Sequence, residues 1–218
     1  MLIKIFQPLY VFYVIIVFFV LCIIAFPIVL LAGMSNSILA NKNIYYIIKQ
    51  FTRFWLFLIG MPVNVIGYKP SNTRFVVVIN HISYIDSIVI LSAIPGYFRP
   101  LGKKEMSSIP IFGTIYKKYV IMVDRESNES RAKSMKHLWN VLQNEGSIAI
   151  FPEGTFNETG SPLKKFYDGA FQLAIKTQVD ILPIIFLDTI DRWHYSAWWK
   201  ITPGRNRAYT INLAAAGL

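Results

Sequence analysis

The chain has 218 residues, of which 54% are hydrophobic and 16% charged, and its net charge is +10. An ordinary soluble domain carries about 25% charged residues, so this composition argues against a disordered tail, a coiled coil and a soluble nucleic-acid-binding protein. The length suits one catalytic domain. Residues 1–85 contain no Asp or Glu, and such a purely basic, apolar segment suits anionic lipid head groups better than nucleic acid.

The first predicted element is a membrane helix near the amino terminus. Residues 5–41 contain no charge, and the 23 residues from 9 to 31 are almost continuously apolar. As a helix they would be about 34 Å long, enough to cross a hydrocarbon core of about 30 Å. The alternative is a secretory signal peptide, whose apolar region has only about 7–15 residues before a small-residue cleavage site. We therefore predict a retained anchor.

A second apolar segment, residues 44–59, carries Lys49 and Arg53 among several aromatic residues. Residues four apart share a helix face, and aromatic residues beside basic ones are typical of a helix in the head-group layer. The alternative is a helix that packs on the core of a soluble domain. We predict a two-helix membrane unit at residues 1–60 and a catalytic domain at residues 61–218, whose last residues suggest a truncated carboxyl terminus or a cloning remnant.

After residue 60, short β-rich runs alternate with helical patterns. Strands are predicted at residues 74–80, 97–101, 119–124, 147–151 and 181–187, and helices at residues 86–94, 109–116, 128–144 and 166–177. This alternation predicts an α/β fold with a mostly parallel central sheet flanked by helices. Ligands of such sheets bind at the carboxyl ends of the strands, so the loops after the strands are the candidate sites.

The first candidate site follows the strand at residues 74–80, where His81 comes directly after the strand and Asp86 five residues later. In one continuous helix this spacing would place the two side chains on different faces. Across a strand-to-helix turn, however, the carboxylate can accept a hydrogen bond from the ring and raise the basicity of the other nitrogen. The alternative is that Asp86 only caps the next helix, because isolated pairs with this spacing are common.

Three further candidate segments follow other strands. Residues 151–155 read Phe-Pro-Glu-Gly-Thr, a tight turn with donors for an anion, although an ordinary turn would look the same. Arg125 has the guanidinium suited to bidentate phosphate binding, unless it pairs with an acidic neighbour. Lys103 and Lys104 lie in a basic segment that could simply be solvated.

Other catalytic chemistries find less support. Cys22 is the only cysteine, so it has no partner for an intrachain disulfide or a cysteine metal site. His137 and His194 lack the spacing of metal ligands, and no metal site is predicted. Ser83 is discounted as a nucleophile because the chain has no Gly-x-Ser-x-Gly turn.

The order and spacing of these segments resemble the glycerolipid acyltransferase family, which includes 1-acyl-sn-glycerol-3-phosphate acyltransferase. The family's first motif, N-H-x4-D, matches Asn80, His81 and Asp86, and its F-P-E-G-T motif matches residues 151–155 without a gap. The other matches are Lys104, Glu105, Ile109, Pro110, Gly113, Asp124, Arg125, Gly169, Ala170, Phe171 and residues 181–184. The resemblance covers about residues 55–190 and extends to the membrane helices of the family.

The chain departs from the family pattern at two places. Phe156 and Asn157 replace the usual Arg-Ser after the F-P-E-G-T motif, and residues 167–168 read Tyr-Asp where Lys-Lys is frequent. Two expected cationic contacts to the acceptor phosphate are therefore missing or moved, and Lys164 and Lys165 lie nearby as substitutes. We interpret these departures as properties of a subgroup.

The resemblance implies transfer of a fatty acyl group from acyl-CoA or acyl-carrier protein to the sn-2 hydroxyl of 1-acyl-glycerol-3-phosphate. The product would be phosphatidic acid, in phospholipid biosynthesis, with the thioester as co-substrate and no cofactor. His81 would be the general base, Asp86 would orient it, and Gly154 or a nearby turn amide would stabilise the oxyanion.

The resemblance also implies a substrate phosphate site. Its predicted residues are Arg125, Lys104, Glu153, Gly154 and Thr155, with Asn80, Lys103 and Lys165 as additional candidates. Glu153 is expected to be mainly structural.

The predicted partners are membrane lipids, the lysophospholipid acceptor and the thioester donor, without nucleic acid. The predicted location is the bacterial inner membrane, with the active site facing the cytoplasm. Two alternatives stay open: a related acyltransferase that uses glycerol 3-phosphate or a lyso-aminolipid, and an inactive membrane-anchored lipid-binding protein.

Overall fold

The computed structural model describes residues 2–32, 37–70, 74–109, 112–123 and 128–213. The helices are α1 (Leu2–Ala32), α2 (Ile38–Leu58), α3 (Asp86–Ala93), α4 (Phe112–Tyr119), α5 (Asn128–Asn144), α6 (Gly169–Thr177) and α7 (Thr189–Arg192). The strands are β1 (Val63–Gly67), β2 (Val76–Ile79), β3 (Phe98–Lys103), β4 (Ile121–Val123), β5 (Ser147–Ile150), β6 (Ile181–Phe186) and β7 (Asn206–Thr210). A 3₁₀ turn at Lys104–Ser108 links β3 to the segment before α4.

Within the described residues, seven strands form one sheet in the order β1-β7-β6-β2-β5-β3-β4. Every neighbouring pair is parallel except β6 and β7, which are antiparallel. This arrangement confirms the predicted α/β class with a mostly parallel sheet. Because β2, β3, β4, β5 and β6 run in the same direction, the loops that follow them lie at one edge of the sheet.

Helices cover both faces of this sheet. Val77 and Ile79 of β2 pack in one apolar cluster with residues of α2 and α3. Val76 and Val78 pack in a second cluster with residues of α5 and α6. Successive side chains of a strand point to opposite faces, so the buried β2 contributes to both clusters. This burial on two sides explains its uninterrupted apolar sequence.

The predicted elements match the structure with shifted ends, and two strands were missed. α5 has the predicted bounds, whereas the helix predicted at residues 109–116 begins and ends later, as α4. β1 and β7 pair with each other in parallel at one side of the sheet. β7 alternates buried and exposed residues and includes Asn206 and Arg207, so it lacks the apolar run by which the other strands were predicted.

α1 is the one helix in the described ranges that is long and apolar enough to cross a membrane, judged by length and composition. Its apolar part is Phe6–Ala32, and little of that part is buried in the protein. A few side chains do reach the core, among them Val14. The outer face of α1 exposes large apolar residues, including Leu9, Phe12 and Ile24.

α2 packs on the catalytic core, which is the alternative that the sequence left open. One of its faces is buried, through Ala40, Ile44, Tyr45, Lys49, Thr52, Trp55 and Leu56. The opposite side exposes Tyr46, Phe54 and Phe57. α2 therefore contributes to the same core as the residues after 60, and it also presents an apolar surface beside α1. The division of the chain at residue 60 stays a prediction.

Lys49 corrects one detail of the sequence prediction. Its side chain is buried, and Nζ donates a hydrogen bond to the carbonyl oxygen of Ile94 at 2.9 Å, just after α3 ends. A cation in this position interacts favourably with the carbonyl end of a helix. Lys49 therefore does not face lipid head groups as predicted, whereas Arg53 is exposed.

Candidate active site

His81 and Asp86 meet at the turn between β2 and α3. The ring atom Nδ1 of His81 lies 3.0 Å from the carboxylate oxygen Oδ2 of Asp86. His81 follows β2 after one residue, and Asp86 is the first residue of α3. The change of direction between strand and helix brings the side chains together across five positions, so the contact expected from the sequence is formed.

Asp86 is fully buried and anchors the turn as well as the ring. The same oxygen, Oδ2, accepts hydrogen bonds from the backbone amides of Ile82 at 2.7 Å and Ser83 at 2.8 Å. The carboxylate therefore also caps the loop, which was the alternative interpretation, and both roles coexist. Bonds to a charged acceptor are stronger than neutral ones, so this geometry fixes the orientation of His81.

This pairing defines which ring nitrogen of His81 can act as a base. A carboxylate only accepts hydrogen bonds, so Nδ1 carries the proton and Nε2 keeps a lone pair. The His81 side chain is 16% exposed and borders a cavity. Nε2 is thus the atom that can take a proton from a bound hydroxyl.

The loop after β5 holds the backbone of His81 from both sides. Oε1 of the fully buried Glu153 accepts a hydrogen bond from the His81 amide at 3.3 Å, and the Asn157 amide donates to the His81 carbonyl oxygen at 2.7 Å. Glu153 thereby positions the catalytic loop, in agreement with a structural role. Burial raises the pKa of the Glu153 carboxyl, and the hydrogen bond from His81 opposes that shift.

We expect Glu153→Gln to make the stability of the fold less dependent on pH. Because the pKa of Glu153 is raised in the folded protein, the folded state binds this proton more tightly than the unfolded chain. Ionisation therefore lowers stability as the pH rises through the ordinary carboxyl range. Glutamine does not titrate and keeps an oxygen for the His81 amide. Unfolding midpoints between about pH 4 and pH 7 should fall less steeply in the variant.

The matched control is Glu158→Gln, because Glu158 is exposed in the same loop. That substitution should leave the pH profile of the unfolding midpoint close to that of the wild type. Parallel profiles for Glu153→Gln and the wild type would contradict the proposed effect of burial.

Gly154 and Thr155 form the turn after β5. Gly154 has a φ of +75°, a left-handed conformation that favours glycine. Its amide donates to the carbonyl oxygen of Phe151 at 3.0 Å. The single N–H of Gly154 is engaged within the turn, so the expectation that it binds the oxyanion does not fit this structure. The exposed Oγ1 of Thr155 accepts a hydrogen bond from Nζ of Lys164 at 2.7 Å.

The predicted cationic residues that the structure describes belong to two segments of the chain. Lys103 and Lys104, at the end of β3 and the start of the 3₁₀ turn, border the same cavity as His81. In the segment after β5, Lys164 donates a hydrogen bond to Thr155, and the predicted Lys165, next in the chain, is exposed. Arg125 lies outside the described residues and stays a prediction.

Asn80 has a structural contact. Its side-chain Nδ2 donates to the carbonyl oxygen of Phe186 at 3.1 Å, and its Oδ1 accepts from the Phe186 amide at 2.8 Å. Both ends of the buried amide are therefore used to join the ends of β2 and β6. Asn80 therefore positions the His81 loop, and its predicted contact to the phosphate stays a prediction.

Aromatic rings surround His81, and sequence reasoning did not foresee them. Phe151 stacks on the imidazole with ring centroids 4.1 Å apart, and Phe156 lies at 4.3 Å. Phe156 also contacts Tyr84 and stacks on Tyr195. The only sequence signal was the replacement of the family's usual arginine by Phe156.

A large cavity, of about 1470 Å³, extends from His81 to the amino-terminal helices. Most of its lining is apolar and comes from α1, α2, α3 and α4, for example Phe18, Ile48, Ile88 and Ile115, and Phe151 after β5 also borders it. This volume exceeds the roughly 300–1,000 Å³ of ordinary small-ligand pockets. In the part of the chain described, no group of three or more His, Cys, Asp or Glu side chains is arranged to hold a metal ion.

The sequence is similar to known proteins that are named as 1-acyl-sn-glycerol-3-phosphate acyltransferases. It is 32% identical over 146 residues to a 1-acyl-sn-glycerol-3-phosphate acyltransferase of Cocos nucifera, covering 65% of this chain and 46% of that protein. It is 34% identical over 133 residues to 1-acyl-sn-glycerol-3-phosphate acyltransferase alpha of Homo sapiens, covering 59% of this chain and 47% of that protein. The chain spans about half the length of these curated relatives.

The fold matches a solved structure. The crystal structure of the 1-acyl-sn-glycerophosphate (LPA) acyltransferase PlsC from Thermotoga maritima superposes with a TM-score of 0.70 at 22% identity. The superposition covers 95% of this chain and 83% of the other. In addition, the sequence model of the family described as Acyltransferase matches residues 62–187, which is more than half of the chain and includes His81, Asp86 and residues 151–155. This protein therefore belongs to the Acyltransferase family.

Proposed function

We propose that this protein transfers a fatty acyl group from a thioester to the sn-2 hydroxyl of 1-acyl-glycerol-3-phosphate, giving phosphatidic acid for phospholipid biosynthesis. The observation that carries the proposal is the His81–Asp86 pair at the border of a large apolar cavity. The cavity offers space for an acyl chain beside a histidine that can act as a base. The names of the relatives support this acceptor.

The reaction follows from the position of His81. Nε2 takes the proton of the acceptor hydroxyl while the hydroxyl oxygen attacks the thioester carbon. The tetrahedral intermediate collapses, the carbon–sulfur bond breaks, and the thiolate leaves and receives the proton from His81. Asp86 stabilises the imidazolium that forms between these steps. The acceptor oxygen is itself the nucleophile, so no acyl-enzyme is required.

The acceptor phosphate needs cations near the dyad. Lys103 and Lys104 border the cavity, and Lys164 contacts Thr155 in the segment after β5. Arg125, which follows β4 by two residues, completes the proposed phosphate site. Phe156 occupies the place beside His81 where the resembled family usually has an arginine, so the phosphate relies on these lysines and on Arg125.

The acyl donor is acyl-CoA or acyl-carrier protein, acting as co-substrate. The chemistry above uses only the thioester, the acceptor and His81, so we propose that the reaction requires no cofactor or metal. The thioester carbon must reach Nε2 of His81 with its chain directed into the apolar cavity.

We also propose that the protein works at the cytoplasmic face of the bacterial inner membrane. The exposed apolar surface of α1 supports membrane association, and the basic, acid-free residues 1–85 favour an anionic surface. Basic flanks are typical of cytoplasmic segments, and thioester donors are found on the same side. The cavity lined jointly by α1 and α2 would give lipid substrates direct access from the bilayer.

We expect the double substitution Ile16→Asp and Val20→Asp to release the protein from membranes. Both residues are exposed on one face of α1 and do not line the cavity. Each aspartate within the hydrocarbon costs about 2.5–3.5 kcal/mol. Flotation with membranes in high salt measures the effect, since salt suppresses binding through basic residues.

The matched control for this membrane test is Ile175→Asp, which changes an even more exposed isoleucine on α6, on the opposite face of the sheet. The control should float with membranes like the wild type. Full flotation of the double variant in high salt would show that α1 is not the main anchor.

The proposed reaction is tested by a thiol-release assay on the purified full chain with lysophosphatidate, glycerol 3-phosphate and a lyso-aminolipid offered side by side. We expect the highest kcat/KM for lysophosphatidate. Preference for another acceptor would replace the proposed substrate and retain acyl transfer. Absence of thiol release with all three acceptors and both donor classes would favour an inactive lipid-binding protein.

A further inference from the structure

A surface segment outside the catalytic site carries aromatic residues that the proposed reaction does not use. Residues 193–200, which we name the aromatic segment, follow α7 and include three of the five tryptophans. Trp198 is 63% exposed and Trp199 is 53% exposed, with their rings edge to face at 5.8 Å. Two adjacent exposed tryptophans form an apolar patch without a partner among the described residues.

Hydrogen bonds fix the position of this tryptophan pair. Nε1 of Trp193 donates to the carbonyl oxygen of Trp198 at 3.0 Å. The amide of the buried Ala197 donates to the His194 carbonyl oxygen at 3.1 Å, and the Lys200 amide donates to that of Ala197 at 2.9 Å. The segment therefore presents Trp198 and Trp199 from an ordered turn.

The aromatic segment adjoins the start of α1 and the end of α2. Nε2 of Gln7, in α1, donates to the carbonyl oxygen of Ile201 at 3.4 Å. Just beyond, the Gly204 amide donates to the carbonyl oxygen of Gly60 at 2.9 Å. Phe6 and Phe57, near these contacts in sequence, are 60% and 69% exposed. The residues that directly follow the aromatic segment are therefore tied to the ends of α1 and α2 near which these apolar side chains are exposed.

The charge of this region suits an anionic lipid surface. Residues 192–218 contain no Asp or Glu but include Arg192, Lys200, Arg205 and Arg207. Asp188 pairs with Arg207 from outside this range. Tryptophan beside basic residues is typical of the membrane interface, where the indole body is apolar and its N–H contacts polar head groups. An acid-free cationic segment adds attraction to anionic lipids.

The other end of the aromatic segment contacts the catalytic loop. The Ser83 hydroxyl donates to the carbonyl oxygen of Trp193, and Ser83 forms a β-bridge with His194. Tyr195 stacks on Phe156, which in turn contacts His81. The segment therefore links the loop between β2 and α3 to the tryptophan pair at the surface.

We propose that Trp198 and Trp199 insert into the head-group layer of an anionic bilayer and form a second membrane contact, separate from α1. This inference rests on the proposed membrane association. The contact would fix how the His81 loop faces the bilayer, because the aromatic segment touches both. Its ligand is the lipid interface itself.

The test uses the full chain bound to vesicles of phosphatidylcholine and phosphatidylglycerol that contain phosphatidylcholine brominated near the head group. Bromine quenches tryptophan emission only at short range. Replacing both residues, Trp198→Phe and Trp199→Phe, should remove roughly half of the bromine-quenchable emission, because interfacial tryptophans lie at that depth. Trp139→Phe is the matched control, since Trp139 is exposed on α5, on the opposite face of the sheet. This substitution should remove none of the bromine-quenchable emission.

Phenylalanine keeps an aromatic ring at each position, and an unchanged unfolding midpoint shows that the double variant is folded. Equal quenchable emission in the double variant and the wild type would overturn the proposal while leaving the α1 anchor intact. A wild type that does not float with the vesicles would refute both membrane proposals. Acrylamide quenching of the tryptophan pair provides a further comparison. If acyl-carrier protein reduces this quenching and vesicles do not, the surface binds a protein partner and the lipid assignment is overturned.

Discussion

Replacing His81 by alanine should lower kcat by about 10²–10⁴-fold, the usual contribution of a general base. The structure gives the reason, because Nδ1 is engaged with Asp86 and Nε2 remains as the proton acceptor at the border of the cavity. The measurement is thiol release by the purified variant with a saturating long-chain donor and lysophosphatidate. Binding of the donor should change little, since the apolar lining contributed by the helices is retained.

The matched control for this substitution is His137→Ala, which removes an exposed histidine of α5. That variant should retain the activity of the wild type. A purified, folded His81→Ala protein with near-normal turnover would contradict the assignment of His81 as the base.

Asp86→Asn should cause a comparable loss without unfolding the protein. The asparagine oxygen, in the position of Oδ2, can still accept the hydrogen bonds of Ile82, Ser83 and His81, but the side chain no longer carries a negative charge beside the ring. Without that charge, His81 is a weaker base and the imidazolium that forms during the reaction is less stable. An unchanged unfolding midpoint together with the activity loss separates this effect from a structural one.

The parts of the fold that could be predicted are those whose signal is local. β2 and β5 are buried along their whole length and therefore read as apolar runs. By contrast, β7 exists because it pairs with β6 on one side and β1 on the other. That pairing joins residues far apart in the chain, and the mixed polarity of β7 carries no sign of it.

The site divides in the same way. His81 and Asp86 lie five residues apart, so one local turn was enough to predict their contact. The stacking of Tyr195 on Phe156 and the contribution of α1 to the cavity arise from residues that meet only in the folded protein. The use of the Gly154 amide within its own turn depends on backbone geometry that the sequence F-P-E-G-T does not specify.

Attachment of a bulky maleimide to Cys22 should inhibit transfer from long-chain donors. Cys22 is the only cysteine of the chain and lines the same cavity as His81, so the reagent would occupy space proposed for the acyl chain. Overfilling a packed apolar site costs about 1–3 kcal/mol, which corresponds to about 5- to 150-fold in kcat/KM.

The same modification distinguishes occlusion of the cavity from general damage. A short-chain donor requires less of the cavity, so its kcat/KM should fall much less than that of a long-chain donor. The Cys22→Ser variant, treated with the same reagent, should retain its activity with both donors. A saturating long-chain thioester should also slow the labelling of Cys22 in the wild type, as followed by mass spectrometry. Complete labelling could instead lower kcat/KM equally for both donors, or for neither. Either result would show that the cavity beside α1 does not hold the acyl chain, which must then lie elsewhere relative to His81.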